Sequence, residues 1–352
     1  MTECDGSSVR AVLWEPWRGS TSVHCSLCAH HCRIEPGARG LCGVRENRDG
    51  VLRALTFGCA ISAAVDPIEK KPLFHFLPTS TSFSIATVGC NFTCSFCQNS
   101  DISQMPRDGG HIRGSRFPPG EVVSQAVETG CSSISYTYTE PTVYLEYALA
   151  CAEPAVDAGL KNVFVTNGYM TPEALDLIGP YLHAANVDLK SFDDDFYRAY
   201  VGARLSPVLR SIRQLVDMGV WVEVTTLVIP GLNDGADELR SLASFLVDID
   251  PHIPWHVSRF HPSFLLLDRP VTPLATIERA LAIGRQEGLH YVYAGNVPGS
   301  GSESTSCPEC GVVVIERAGF RTGRVRLVGD SCGRCGARIA GVFTSTESRE
   351  RV

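Results

Sequence analysis

Cys90-Asn91-Phe92-Thr93-Cys94-Ser95-Phe96-Cys97 decides how this chain folds and what it can hold. The three cysteines stand at C-x3-C-x2-C spacing. They follow the apolar run Ser82-Phe83-Ser84-Ile85-Ala86-Thr87-Val88, which reads as a strand, and Gly89, which turns the chain. A short loop at a strand end can aim three thiolates at one point. Electron-transfer clusters take four cysteines. Three can hold three corners of a 4Fe–4S cluster and leave the fourth iron open to a substrate. The amine and carboxylate of S-adenosylmethionine (SAM) suit that corner. Phe92 and Phe96 are placed to shield the cluster, since solvent exposure and hydrogen bonds to sulfur set its potential. A chance row of core cysteines, or part of a zinc site, is the competing reading, and this spacing after a strand disfavours it.

Outward from this stretch the chain alternates strand and helix. Residues 82–88, 132–137, 162–166, 184–189, 220–229, 253–259 and 290–294 read as strands. Helical patterns lie near 119–129, 142–158, 172–179, 206–218, 235–247 and 273–287. Such alternation implies an α/β fold, a parallel sheet covered by helices. Six or more units suggest a full or partial TIM-like barrel, whose sites gather at the C-terminal strand ends. Polar residues fall there in succession. Tyr136-Thr137-Tyr138-Thr139-Glu140 ends one strand and Thr166-Asn167-Gly168 the next. Asp188 and Lys190 follow on one face by the period of two. Val228-Ile229-Pro230-Gly231 and His256 complete the ring. Each is ordinary alone; together they can grip a zwitterionic nucleoside. Glu223 shares a face with Trp221 and Thr225 and is expected inside the barrel, where an unpaired carboxylate is costly.

The cysteine spacing, the aromatic residue before Cys97 and the following Gln98-Asn99 resemble the radical-SAM superfamily. Within it they resemble the activases of glycyl-radical enzymes, such as pyruvate formate-lyase activases. Asp66-Pro67-Ile68-Glu69-Lys70-Lys71-Pro72-Leu73 and Tyr136–Thr142 look closer to the AmmeMemoRadiSam-system radical-SAM proteins, and the resemblance spans roughly residues 23–345. It implies a partial (β/α)6 barrel. It places Glu140 at the Gly-Gly-Glu motif that binds the SAM amine, with Tyr138 and Thr139 replacing the glycines. Thr166, Asn167, Asp188 and Lys190 resemble the residues contacting the SAM ribose and carboxylate, and Val165 replaces an acid of the activases. Val228, Ile229 and Gly231 look like the adenine shelf, and His256 resembles a histidine that reaches the nucleoside. The implied activity is reductive cleavage of SAM to methionine and a 5′-deoxyadenosyl radical, which takes hydrogen from a substrate. An external one-electron donor of flavodoxin or ferredoxin type is implied. The substrate stays open between a protein glycine, as for the activases, and a small molecule or nucleobase. The family name records association with MEMO-type and AMMECR-type proteins and implies a multi-protein pathway. A non-enzymatic metal-binding interaction or electron-transfer module is the alternative from another class.

Eleven of the fifteen cysteines fall into three tight clusters. Cys25, Cys28, Cys32 and Cys42, with Pro36, Gly37 and Gly40 supplying turns, suit a zinc or iron site. A second iron–sulfur cluster is the other reading there, and His24, His30 and His31 are candidate substitute ligands. Cys307, Cys310, Cys332 and Cys335 form two C-x2-C-G knuckles, with β-type runs at 311–315 and 337–343, and read as a zinc ribbon. A Gly- and Ser-rich linker, 296–306, precedes it. The expected organisation is therefore a Cys-rich segment at 1–81, a barrel at 82–295, and linker, ribbon and tail at 296–352. The ribbon's six arginines against two acids over 311–340 read as a solvated face or a dock for an anionic partner. Cys4, Cys59, Cys131 and Cys151 read as small buried hydrophobes. Residues 1–22 read as irregular. Lys70 and Lys71 read as a solvated pair, with a SAM- or substrate-facing role as the alternative.

A net charge of −7 argues against duplex nucleic acid as a partner. The sequence has no run long enough to span a membrane and no signal-peptide pattern at its start. Cysteines used as metal ligands point to a reducing, cytoplasmic compartment.

Overall fold

The computed structural model describes residues 2, 3, 8–297, 299 and 301–343. Its centre is an eight-stranded sheet whose spatial order follows the chain: β1 (Ser62–Pro67), β2 (Thr81–Ala86), β3 (Ser133–Tyr136), β4 (Lys161–Thr166), β5 (Ala184–Asp188), β6 (Trp221–Val228), β7 (Trp255–Arg259) and β8 (Val292–Gly295). β1 runs antiparallel to β2, and every later pair is parallel. The edge strands β1 and β8 do not pair with each other, so the barrel is open on one side. Six helices make the crossovers: α1 (Pro119–Glu128), α2 (Leu145–Asp157), α3 (Pro172–Ile178), α4 (Leu205–Asp217), α5 (Ala236–Ile249) and α6 (Leu274–Gln286). All seven expected strands and all six helices are present, and the sheet also takes in β1.

Local chemistry explains the elements. In α4 the buried residues Leu205, Val208, Ile212 and Leu215 recur at three- and four-residue spacing, so one stripe faces the sheet. Helix α3 begins with Thr171, whose hydroxyl accepts from Ala174 N–H at 3.3 Å, and with Pro172 at its first position. The strands are buried on both faces, as a helix-covered parallel sheet requires.

The N-terminal segment is not irregular where it is described. Trp14–Pro16, Val23–Cys25 and Arg33–Ile34 form one small antiparallel sheet, and Val9–Arg10 joins Val51–Ala54 and Arg45–Arg48 in another. Asp49 and Gly50 both take positive φ, as a tight turn between twisted strands demands. The buried pair Arg45–Glu146, at 2.9 Å, ties this segment to α2.

The N-terminal end of the barrel is closed by the stretch 68–77. Phe74 and His75 N–H groups donate to the Glu223 carboxylate at 3.0 and 2.8 Å, and Asn186 donates to the Pro72 carbonyl at 2.8 Å. Trp221 Nε1 donates to the same carboxylate at 3.0 Å, and His256 Nε2 lies 2.7 Å from it. Glu223 therefore faces the interior as expected, but it is fully partnered and serves the floor.

The C-terminal module packs directly onto that floor. Thr305–Ser306, Val313–Ala318 and Arg321–Val325 form its antiparallel sheet. Arg317 donates to the Phe74 carbonyl at 2.6 Å and to Thr305 Oγ1 at 2.7 Å, and its guanidinium stacks 4.4 Å from the Phe74 ring centroid. His75 Nδ1 lies 2.7 Å from the Ala340 carbonyl, and its Nε2 lies 2.5 Å from the Tyr293 hydroxyl. Burial lowers the His75 pKa to about 4, so the ring is neutral. Nδ1–H then donates to the carbonyl, and Nε2 accepts from Tyr293. Two expectations are corrected here. The linker does not set the ribbon apart, because Thr305 is buried with its hydroxyl 2.9 Å from that of Tyr293 on β8. The run 337–343 is not a ribbon strand; Val342 instead bridges to Phe76 of the floor. Cys131 and Cys151 are buried free thiols, as expected. Cys59 is buried but disulfide-bonded, and Cys4 lies outside the described residues.

Candidate active site

At the C-terminal end of the strands lies a cavity of about 530 Å³. Cys90, Cys94 and Cys97 line it from the loop after β2. Thr93 and Ser95 N–H groups bond the carbonyls of Val201 and Tyr200, each at 2.9 Å, which fixes the loop against the turn after β5. Cys97 Sγ lies 3.3 Å from Ser103 Oγ, and Phe92 N–H reaches Cys90 Sγ at 3.4 Å. Burial pushes the Cys94 thiol up to about 12, against the pull of Lys190. Burial, and then Glu140, push Cys90 well above its ordinary value. Thiols so placed ionise when a metal replaces the proton. Buried Asn91 Nδ2 and Ser95 Oγ find no hydrogen-bond partner among the described residues. A loop folded round a group whose sulfides accept hydrogen bonds would leave them so.

The facing wall carries the expected ring in part. Glu140, Thr166, Asn167, Asp188 and Lys190 all line the cavity. Glu140 Oε1 accepts from Thr142 N–H at 3.1 Å, Thr142 Oγ1 at 2.5 Å and Thr166 Oγ1 at 2.7 Å. Among the described residues its Oε2 accepts only from Asn167 N–H, at 2.7 Å, and keeps capacity for an ammonium group. Burial raises the Glu140 pKa, and these hydrogen bonds oppose the shift. Lys190 Nζ lies 3.0 Å from Asp188. Burial works to lower the Lys190 pKa, but Asp188 and Cys94 outweigh it and the net shift is upward.

Tyr138 has φ +63°, the left-handed region where a glycine would sit without strain. Its hydroxyl donates to Asp66, and Asn99 donates to its carbonyl at 2.8 Å, which together hold the turn. Lys70 lines the cavity, whereas Lys71 is buried beneath the Tyr138 ring and bonds Asp66 at 2.7 Å. Lys70 is exposed and ion-paired to Asp66 at 2.8 Å, so only Lys71 departs from the solvated reading. Burial lowers the Lys71 pKa to about 8, opposed by Asp66.

Four expected site residues lie elsewhere. Val228 and Ile229 are buried away from the cavity, Gly231 does not line it either, and Leu227 lines it instead. Alternate residues of a strand face opposite sides, so the shelf was misplaced by one position. His256 shares its strand face with Ser258, which lines the cavity; His256 sits one step deeper, against Glu223 and Tyr293. Thr225, Ser258 and Asn296 were not anticipated. Continuing the period of two along β6 and β7 from Glu223 and His256 would have found the first two.

The remaining cysteines form two further groups. Cys307–Cys335 and Cys310–Cys332 sulfurs lie 3.6 and 3.8 Å apart, and all four ligand atoms fall within 4.8 Å of one another. That spacing suits a single tetrahedral ion. Cys25, Cys28, Cys32 and Cys42 line a separate small cavity together with His30. His24 and His31 stack on each other outside its lining.

Comparison with known proteins agrees with this geometry. The model of the "Radical SAM superfamily" matches residues 84–246. The chain is 45% identical over 320 residues to uncharacterized protein MJ0808 of Methanocaldococcus jannaschii, covering 90% of this chain and 95% of that protein. It belongs to the radical SAM superfamily. A pyruvate formate-lyase-activating enzyme of Streptococcus mutans is 23% identical over 177 residues, 47% of this chain and 65% of that enzyme. A solved radical SAM methyltransferase from Sphaerobacter thermophilus superposes with a TM-score of 0.48 at 19% identity, covering 62% of this chain and 67% of that one. Membership implies a 4Fe–4S cluster and SAM, and the three-cysteine loop and open Glu140 oxygen fit both. Among the described residues no helix is long and apolar enough to cross a membrane.

Loss of one charge-assisted hydrogen bond costs about 1.5–3 kcal/mol, or about ten- to a hundredfold in affinity. Glu140→Gln and Asp188→Asn are expected to weaken SAM binding by that factor and to leave iron content unchanged. Calorimetric titration of SAM into the reconstituted variants checks this. Wild-type affinity in both would remove the two residues from the site.

Proposed function

We propose that this chain cleaves SAM reductively and uses the resulting radical to take hydrogen from a substrate held in the cavity above Thr225. The observation that carries this is the convergence of Cys90, Cys94 and Cys97 with Glu140, Asn167 and the Asp188–Lys190 pair on one cavity. When bound, the reduced cluster would supply one electron and SAM would accept it and supply the radical. The chain's own groups bind and orient. Glu140 Oε2 takes the SAM amine, Asp188 and Lys190 take the polar groups of the ribose and carboxylate, and Leu227 backs the adenine. The closed floor keeps water out from below. Anaerobic reconstitution, reduction with dithionite and chromatography for 5′-deoxyadenosine test the proposal. A fully loaded cluster that yields none would overturn it.

The substrate is a small molecule or nucleobase on the first reading. A glycine of a protein partner is the second, favoured by the likeness to the Streptococcus mutans activating enzyme. We place the chain in the AmmeMemoRadiSam group, in a pathway with MEMO-type and AMMECR-type proteins, in a reducing cytoplasmic compartment with a flavodoxin- or ferredoxin-type donor. The ribbon quartet is a closed four-sulfur set and holds structural zinc. Protein purified aerobically is expected to retain about one zinc per chain at this quartet. Cys310→Ser should lose it in elemental analysis, and unchanged zinc in that variant would exclude the quartet.

A further inference from the structure

Cys25, Cys28, Cys32 and Cys42 close on a cavity walled by Leu27 and Val143. A tetrahedral zinc holds each sulfur about 2.3 Å away, which puts the sulfurs ~4 Å from one another. The ribbon quartet meets that spacing. Among the described residues it is the one group of three or more His, Cys, Asp or Glu ligand atoms all within 4.8 Å. The N-terminal four line one space, but no three of their sulfurs lie within 4.8 Å of one another. Four thiolates spread around an apolar cavity are what a four-iron cube requires. We propose that these cysteines hold a second 4Fe–4S cluster, which passes electrons to the SAM-binding cluster in the adjoining loop. The relay rests on the reading of the Cys90 loop given above; the binding of the second cluster does not.

The two cysteine loops are in direct contact. His30 lines the N-terminal cavity, and its Nε2 lies 2.8 Å from the Asn91 carbonyl. Arg107 donates to the Leu41 carbonyl beside Cys42 and to the Cys90 carbonyl at 2.5 Å, so one guanidinium bridges both ligand loops. A Cβ on Gly89 would stand 3.0 Å from the Cys42 carbonyl oxygen, which shows how closely the loops approach. The Tyr169 ring packs on His30 at 4.8 Å and on Phe92 at 5.2 Å. Cys32 is half-buried and Leu41, next to Cys42, is 56% exposed, so this side of the quartet meets solvent. An electron can therefore come in from a partner on that face and leave toward Cys90.

The relay moves one electron and no atoms. A reduced flavodoxin- or ferredoxin-type donor gives it to the second cluster, which falls from the 2+ to the 1+ state. The same electron then reduces the SAM-binding cluster from 2+ to 1+ and returns the second cluster to 2+.

The triple variant Cys90→Ala/Cys94→Ala/Cys97→Ala isolates the N-terminal site in the full chain. After anaerobic reconstitution it is expected to keep ~4 irons, with a reduced-cluster EPR signal that SAM does not change. Zinc alone, or no iron, at a folded variant overturns the proposal. The wild type gives a measurement free of any substitution: ~8 irons per chain are expected, and ~4 overturns it. For the relay, Cys28→Ser is expected to slow reduction of the SAM-binding cluster by reduced flavodoxin at least ~10-fold. That cluster should still give its SAM-dependent signal after dithionite reduction. An unchanged rate overturns the relay. Failure of the SAM reading itself would look different, because no wild-type signal would then respond to SAM.

Discussion

Cys94→Ala is expected to reduce SAM cleavage to background and to erase the EPR signal that responds to SAM. Among the described residues Cys90, Cys94 and Cys97 are the only cysteines lining the cavity, so no spare thiolate can take the third corner. The side chain is buried, and beyond the other two loop cysteines its charged neighbours are Lys190 and Asp188, neither of them a soft ligand. A hydroxyl or water would be a poor replacement for a thiolate on iron. The loop itself should survive, because the Thr93 and Ser95 backbone bonds to Val201 and Tyr200 do not involve the sulfur. A normal circular dichroism spectrum together with lost cleavage is therefore the expected pair of results. Wild-type turnover by this variant after anaerobic reconstitution would dismiss the cluster assignment.

Arg317→Ala is expected to cost about 3–5 kcal/mol of stability, the range for breaking a buried ion pair from one side. Arg317 and Glu69 side chains are 0% and 1% exposed, with the guanidinium Nε 3.7 Å from the carboxylate. The same guanidinium bonds Phe74 and Thr305 and covers the Phe74 ring. Its removal would leave the buried Glu69 carboxylate without its counter-charge, held by Thr79 N–H at 3.0 Å and Thr322 Oγ1 at 2.8 Å, and open the barrel floor. Urea denaturation of the intact protein measures the change, and a loss under about 1 kcal/mol would show that the contact is ornamental. Truncation after Gly299 should be worse still. It uncovers Phe74, Tyr291 and Tyr293, which pack in one cluster with Val314 and Ile315 of the ribbon.

The barrel was legible because its signals are local. Apolar runs of strand length alternate with three-and-four spacing, and polar residues mark each strand end. Glu140, Asn167 and Asp188 were placed at strand ends that way, and all three line the cavity. Val228 and His256 were not placed correctly, since a slip of one residue turns a strand position to the opposite face and a slip of two moves it one layer down. The floor was not legible at all. Phe74 and Arg317 stand 243 positions apart, and nothing in either neighbourhood announces the other. Glycine- and serine-rich composition suggested a free tether at 296–306, yet composition says nothing of what Glu303 and Thr305 pack against. Lys71 carried a hint, as a basic residue just ahead of the cluster strand, but its burial under Tyr138 depends on a left-handed turn that two replaced glycines concealed.

The shared floor also orders events during synthesis. Strands β1 to β8 are complete by Gly295, but His75 waits for the Ala340 carbonyl, 265 positions later. On a ribosome adding about 5–20 residues per second, the emerging barrel spends seconds with Phe74, His75 and Tyr293 uncovered. Contacts so distant close late, because the chain between them must first be confined. A nascent chain stalled just past β8 should therefore bind chaperones and be cut readily by protease, and both signs should vanish once the knuckle cysteines have emerged and taken up metal.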